Sequence, residues 1–334
     1  MQNNRKFSFP ILVITAFICT ACSLTGPSHE VQEYFSELPY QDNFKIMQLS
    51  DMHFSSYDNL KEDFNFLDSL IEEAEPNLVV ITGDSFTFAS KDTVNSVLNF
   101  FEKKDIPWTY TFGNHDEQVY GSSTYISEYL DSLDNCLYQY YEDDLTGQGN
   151  NIINLVKDGK TMYQIFVVDS NTYTYQNYTG YDYVHEDQIE WYKSAIEKVN
   201  KERFSASWKI GDETIDSLIF QHIPIPEYAD ALIAYADNPS IGTGWNREKC
   251  SPPKYNSGFF DVIKEYNSSK AMFVGHDHIN NIDVLYEGVH LVYGAKSTDN
   301  MYHDDDMLGY RLITIESETS FSTSVFYHAY GEAL

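Results

Sequence analysis

Short apolar runs, each ending in polar residues, punctuate this chain. Ile46, Met47 and Leu49, then Leu78 to Ile81, then Trp108, Tyr110 and Phe112, then Leu218 to Phe220, and finally Met272 to Val274 read as buried strands. Amphipathic stretches at helical spacing fall where crossovers are needed. They are Leu60, Phe64, Leu67 and Ile71; Val94, Val97, Leu98 and Phe101; and Ile189, Tyr192, Ile196 and Val199. Beyond residue 115 the pattern loosens into short strands and Tyr-rich loops, with strands predicted at 138–141, 152–156 and 162–168. Strands return near the end, at 283–286, 310–316 and 321–327. The pattern predicts an α/β fold in one domain of about 300 residues.

The polar residues at the ends of the buried runs carry the chemistry. The five junctions read Asp51-Met52-His53, Gly83-Asp84, Gly113-Asn114-His115-Asp116, Gln221-His222 and Gly275-His276-Asp277-His278. All five fall at predicted strand C-terminal ends, the edge at which open α/β sheets bind ligands. Asp51 and Asp84 are 33 residues apart, and Asp84 and Asn114 are 30 apart, each the length of a strand, helix and return strand. Taken singly, a Gly-Asp pair marks a turn and a histidine at a strand end is a hydrogen-bonded structural residue. Taken together, they supply carboxylate, amide oxygen and imidazole, the mixture that hard and borderline divalent ions prefer. The set implies a two-metal site of the kind that cleaves phosphoesters.

In the order of these junctions the chain resembles the calcineurin-like metallophosphoesterase superfamily, across residues 51 to 278. Segments 110–118, 221–228 and 251–260 look most like the single-domain phosphatases related to purple acid phosphatases. The resemblance implies a four-layer α/β sandwich, two mixed sheets packed face to face with helices outside. It further implies that Asp51, His53, Asp84 and His278 hold one ion and Asp84, Asn114, His222 and His276 a second, with Asp84 bridging. Hydroxide shared by two such ions forms near neutral pH and is the expected nucleophile. The donor set admits divalent or mixed-valence pairs drawn from Fe, Mn, Zn or Co. Where purple acid phosphatases place a tyrosine, this chain has Thr87, and it has His53 where they have no histidine. A tyrosinate-bound ferric site is therefore not implied.

His115 is not counted among the ligands and is placed to protonate the leaving oxygen, with Asp116 available to fix its tautomer or to cap the next segment. Asp277 is expected to point away from the ions, into supporting contacts or solvent. The loops at 169–175 and 242–249 offer Asn171, Tyr173, Trp245 and Arg247 as substrate contacts. His29, His185, His290, His303 and His328 read as structural or surface residues.

Composition narrows the partners. With 21 Lys and Arg against 51 Asp and Glu the net charge is -30, which repels polyanions and argues against nucleic acid held on a broad basic surface. The 42% hydrophobic content is ample for a core, so the acidity is a surface property. A phosphoester is the expected small-molecule partner, and the protein is expected to work as a monomer. Arg5 and Lys6, the apolar run from Phe7 to Cys19, and Thr20-Ala21-Cys22 read as a secretory signal over residues 1–21, too short for a membrane span. They resemble a bacterial lipoprotein signal with Cys22 lipidated, so the only membrane contact expected is through that lipid. Cleavage after Ala21 with free secretion, or retention as a signal anchor, are the alternatives. Residues 22–39 read as a tether and 40–334 as the catalytic domain. Only Cys136 and Cys250 then remain, and their separation leaves a disulfide open. Two other functions fit the motifs: a phosphodiesterase acting on nucleotides or lipid head groups, and a non-catalytic surface lipoprotein with a structural metal site.

Overall fold

Strands buried on both faces need cover on both sides, and the apolar runs receive it. The computed structural model describes residues 35–140, 145–174 and 180–330. In chain order it runs β1 (Phe35–Pro39), β2 (Phe44–Leu49), α1 (Leu60–Ala74), β3 (Leu78–Thr82), α2 (Lys91–Glu102) and β4 (Trp108–Thr111). After α3 (Ser122–Asp131) come β5 (Asn151–Lys157), β6 (Lys160–Val167), β7 (Tyr173–Thr174), β8 (Gly180–Tyr181) and α4 (Glu186–Arg203). The remainder is β9 (Ser217–Phe220), α5 (Glu227–Asp237), β10 (Gly242–Thr243), α6 (Phe259–Tyr266) and β11 (Ser269–Val274). It closes with β12 (Asp283–Tyr286), β13 (Val289–Tyr293), β14 (Gly309–Ser317) and β15 (Ser320–Tyr327).

Two mixed sheets result, ordered β15-β14-β2-β3-β4 and β1-β5-β6-β9-β11-β13-β12-β10, besides the small β7-β8 pair. The two-residue side-chain period sorts each run onto two cores. Met47, Leu49, Val79 and Ile81 face α1 and α2, while Ile46, Leu78 and Val80 face the other sheet. On the larger sheet Ile219, Met272 and Val274 face the helices, and Leu218, Phe220, Ala271 and Phe273 face inward. Helix, sheet, sheet and helix thus enclose three apolar layers, the four-layer sandwich expected.

Two expectations change and one open question closes. Residues 35–39, assigned to the tether, form β1, which pairs in parallel with β5 from Phe35 to Ile152. Its polar look comes from an edge position, half of it open to solvent. The described part of the 138–141 run is not a strand. It follows an isolated bridge of Cys136 to Trp108, and Tyr138 turns into the outer core of the smaller sheet. Cys136 and Cys250 are both buried as free thiols, one in each outer core, so the disulfide left open by the sequence is not formed.

Because β2, β3 and β4 are parallel, as are β9 and β11, their carboxyl ends share an edge. Buried polar side chains stitch the two sheets there. Gln48 Nε2 donates to the Val274 carbonyl at 3.1 Å and to Thr82 Oγ1 at 3.0 Å, and His222 Nδ1 meets the Thr82 carbonyl at 2.8 Å. The signal, Cys22, His29 and residues 22–34 of the tether lie outside the described residues. Among the described residues no helix is long and apolar enough to cross a membrane.

Candidate metal centre

Three of the five ligand segments leave their strands through sharp left-handed turns. Asp51, His53, Asp84 and His276 all take the left-handed backbone, with φ between 48° and 75°. Such conformations persist where the surroundings over-determine them, and they cluster at functional sites. Gly83 shows how tightly the turns nest: a Cβ there would meet Gly113 N at 2.5 Å, and its own φ is +80°. At Gly275 a Cβ would come 2.7 Å from Asp51 Oδ2.

The turns gather the predicted ligands into two buried groups, Asp51 with His53 and His278, and Asp84 with His222 and His276. Asp84 Oδ2 faces both, 3.8 Å from His53 Nε2 and 3.1 Å from His222 Nε2. The ring nitrogens away from the centre are held by neighbours. His53 Nδ1 lies 2.7 Å from Thr87 Oγ1, and His278 Nδ1 and His222 Nδ1 approach the carbonyls of Tyr302 and Thr82 at 2.7 and 2.8 Å. A carbonyl only accepts, so in the last two Nδ1 carries a hydrogen and Nε2 is the ring atom left facing inward. His53 and His278 bring their Nε2 atoms to 3.0 Å. Thr87 therefore steadies the His53 ring.

Donor atoms without protein partners mark what the second group lacks. His276 Nε2 and Asn114 Oδ1 are buried and unpartnered, although Asn114 Nδ2 donates to the Tyr173 hydroxyl at 3.1 Å. A buried polar atom left unpaired is costly, and a divalent ion satisfies it. The residues present therefore fit the two ions, and the protein has two metal-binding sites. Burial drives His276 down to about 3 and His53 well below the ordinary histidine value. At His222 burial also pulls down, but the Asp84 carboxylate overcomes it and raises the group to about 10.

His115 stands beside this centre, half-buried, its ring 5.1 Å from that of His53, and its backbone N–H donates to Asp84 Oδ1 at 2.6 Å. Asp116 does not fix its tautomer, contrary to expectation. The Asp116 carboxylate accepts from the amides of Gly113, Asp84 and Phe86 at 2.8 to 3.0 Å, bolting the β4 turn to the β3 turn. Burial and the nearby Asp84 raise its pKa to about 7. Asp277 turns away from the ligands as anticipated, into the protein and not solvent. It accepts from the Tyr293 hydroxyl at 2.5 Å and from Ser251 N at 3.3 Å.

The four candidate substrate residues separate. Asn171 lines a cavity of about 320 Å³ with Phe112 and Glu117, but its amide is committed to the Tyr183 carbonyl and Gln188 Oε1 at 2.8 and 3.0 Å. It shapes that wall and does not grip a ligand. Arg247 is likewise engaged, in an ion pair with Asp304 and with its guanidinium 4.4 Å from the Trp245 ring. Tyr173 contacts Asn114, and Trp245 stands 49% exposed. His185, His290, His303 and His328 each pair with a carboxylate, at 3.2, 2.7, 2.9 and 2.8 Å.

One supporting segment escaped the sequence. Lys296 is buried and donates to the Asp51 carbonyl at 2.5 Å, while Thr298 Oγ1 and Asn300 Nδ2 donate to the Met52 carbonyl at 2.6 and 3.0 Å. These contacts clasp the left-handed turn that aims Asp51 and His53. Burial lowers the Lys296 ammonium to about 8.

Parallel strand ends of two packed sheets, with two metal-binding groups at their shared edge, define a metallophosphoesterase. The calcineurin-like phosphoesterase family matches residues 44–280, and the chain belongs to it. It is 27% identical to "Probable inactive purple acid phosphatase 29" of Arabidopsis thaliana, over 88% of this chain and 82% of that one. It is also 27% identical to Phosphatase DCR2 of Saccharomyces cerevisiae, over 83% of this chain but only 50% of that protein. A dimetal phosphatase from Danio rerio shares the fold, with a TM-score of 0.52 at 12% identity, covering 86% of this chain and 100% of that structure.

Proposed function

We propose that the protein is an exported phosphomonoesterase, in which the two ligand groups bind the ion pair and His115 protonates the leaving oxygen. The observation that carries this reading is the convergence of both groups on Asp84 with the half-buried His115 ring alongside. When bound, two such ions supply Lewis acidity and a nucleophile of hydroxide character near neutral pH. Asp51 and Asp84 balance part of the ionic charge, leaving a locally positive mouth that a dianionic monoester complements better than a monoanionic diester. Although three similar plant proteins are named probable inactive, here the full ligand set stands together with His115, which supports turnover. A purely structural metal site has no use for an adjacent proton donor. Export rests on the character of residues 5–22, with Cys22 as the lipidated residue that attaches the protein to the membrane surface.

A panel of phosphomonoesters and matched diesters at neutral pH tests the reading. Monoesters should show the higher kcat/KM, and His115→Ala should lower turnover by roughly 10²- to 10⁴-fold while keeping its metal. A better matched diester would replace monoesterase with diesterase. Export is checked separately, because Cys22→Ala should be released or left unprocessed, and soluble wild-type protein without N-terminal lipid would refute the anchor.

A further inference from the structure

The turn that carries His115 holds a second polar side chain facing it. Residues Asp116–Gln118 form a single 3₁₀ turn, in which Gln118 N donates to the His115 carbonyl at 2.8 Å. In that geometry side chains three residues apart eclipse one another. Gln118 Oε1 accordingly lies 3.1 Å from His115 Nδ1. A carboxamide oxygen only accepts, so Nδ1 carries the hydrogen and Nε2 is the ring position open to chemistry. The division of labour is clear, since the Asp116 carboxylate is spent on the amides of Gly113, Asp84 and Phe86 and so fixes the turn but not the ring.

We propose that Gln118 is the positioning residue for His115, holding ring and tautomer so that Nε2–H is presented to the leaving oxygen. This rests on His115 being the proton donor. As the P–O bond breaks, its electron pair stays on the leaving oxygen and takes the proton from Nε2, while the attacking oxygen, derived from water, stays on phosphorus. The ring is then neutral with hydrogen on Nδ1, so the Gln118 contact survives the step, and solvent water reprotonates Nε2. What orients the ring is the acceptor oxygen facing Nδ1.

The test compares Gln118→Leu, Gln118→Glu, His115→Ala and the Leu/Ala double variant. The substrates are an alkyl phosphate, whose poor leaving group needs an acid, and p-nitrophenyl phosphate, which needs one far less. Gln118→Leu should lose at least about tenfold more kcat on the alkyl ester than on the aryl ester, a fraction of the full worth of a positioned acid. KM and metal content should stay as in wild type. Gln118→Glu, which still accepts from Nδ1, should recover most of the alkyl turnover, and adding Gln118→Leu to His115→Ala should cost nothing further. Equal losses on both esters, no loss on either, a change in KM alone, or full additivity in the double variant would overturn the assignment. Should the leucine variant fail to fold, Gln118→Met, of the same length and without the amide, makes the same comparison. A wild-type protein that cleaves neither ester refutes the hydrolase reading first, and this assignment with it.

Discussion

The two ligand groups share a composition, one carboxylate and two imidazoles, yet differ in how they treat a proton. In the second group His222 Nε2 sits 3.1 Å from Asp84 Oδ2, and the carboxylate raises the fully buried imidazole to about 10 against the pull of burial. Within the first group the nearest carboxylate contacts are longer, 3.5 Å from Asp51 to His278 and 4.0 Å to His53. There burial prevails and keeps His53 well below the ordinary range. A carboxylate at 3.1 Å thus outweighs burial at His222, whereas at His53, whose nearest carboxylate oxygen is 3.8 Å away, burial wins.

The harshest way to break this comparison is to remove the residue both groups face. Asp84→Ala should lose both ions by elemental analysis and bring phosphoester cleavage down to background, since the remaining ligands cannot hold the pair in register. Full retention of either ion would show that Asp84 is not shared. Next comes pH. His222 is raised, so below about pH 10 the metal-free second group carries a proton that the ion must displace, and affinity there rises as pH rises. One released proton means about tenfold per pH unit, while His53, already neutral, gives up no proton to the first ion. Calorimetric titration in buffers of different ionisation enthalpy should count at least one proton released for two ions, and none would contradict the difference.

Smaller perturbations should reach one group alone. Lys296→Met leaves the Asp51 carbonyl unpartnered at a cost of about 1–3 kcal/mol. It should weaken the first ion by about tenfold and leave the second alone, read by competition with a chelator. Equal weakening of both would place Lys296 in general stability. Trp245→Ala should change metal content at neither group and reorder leaving-group preference by less than about tenfold, the scale of one aromatic contact. A loss of metal in that variant would show that the 242–249 loop supports the ligands.

The ligands are legible ahead of the fold because strands covered on both faces leave dense apolar runs, and their ends announce themselves by the sudden change to Asp, Asn and His. Edge strands lack that signal. In β1 no residue of Phe35–Pro39 is fully buried, so it reads as linker. Supports are hidden for another reason: their partners come from distant segments. Asp116 meets amides some 30 residues earlier, and Lys296 reaches back 245 residues to a carbonyl, and neither spacing leaves a periodic trace. Asn171 misleads because its amide looks free in sequence, whereas the start of α4 consumes it through Gln188. Gln118 could have been found, since its spacing of three from His115 in a short polar turn is visible in the sequence alone.

The most direct test of the two-ion account is reconstitution by equivalents. Protein stripped by a chelator, then given a single divalent metal in steps, is assayed for phosphate release from a monoester. If the groups around Asp84 work as one centre, activity should stay near background through the first equivalent and reach its plateau at two per chain. Full activity at one equivalent, or cleavage that survives complete stripping, would contradict it.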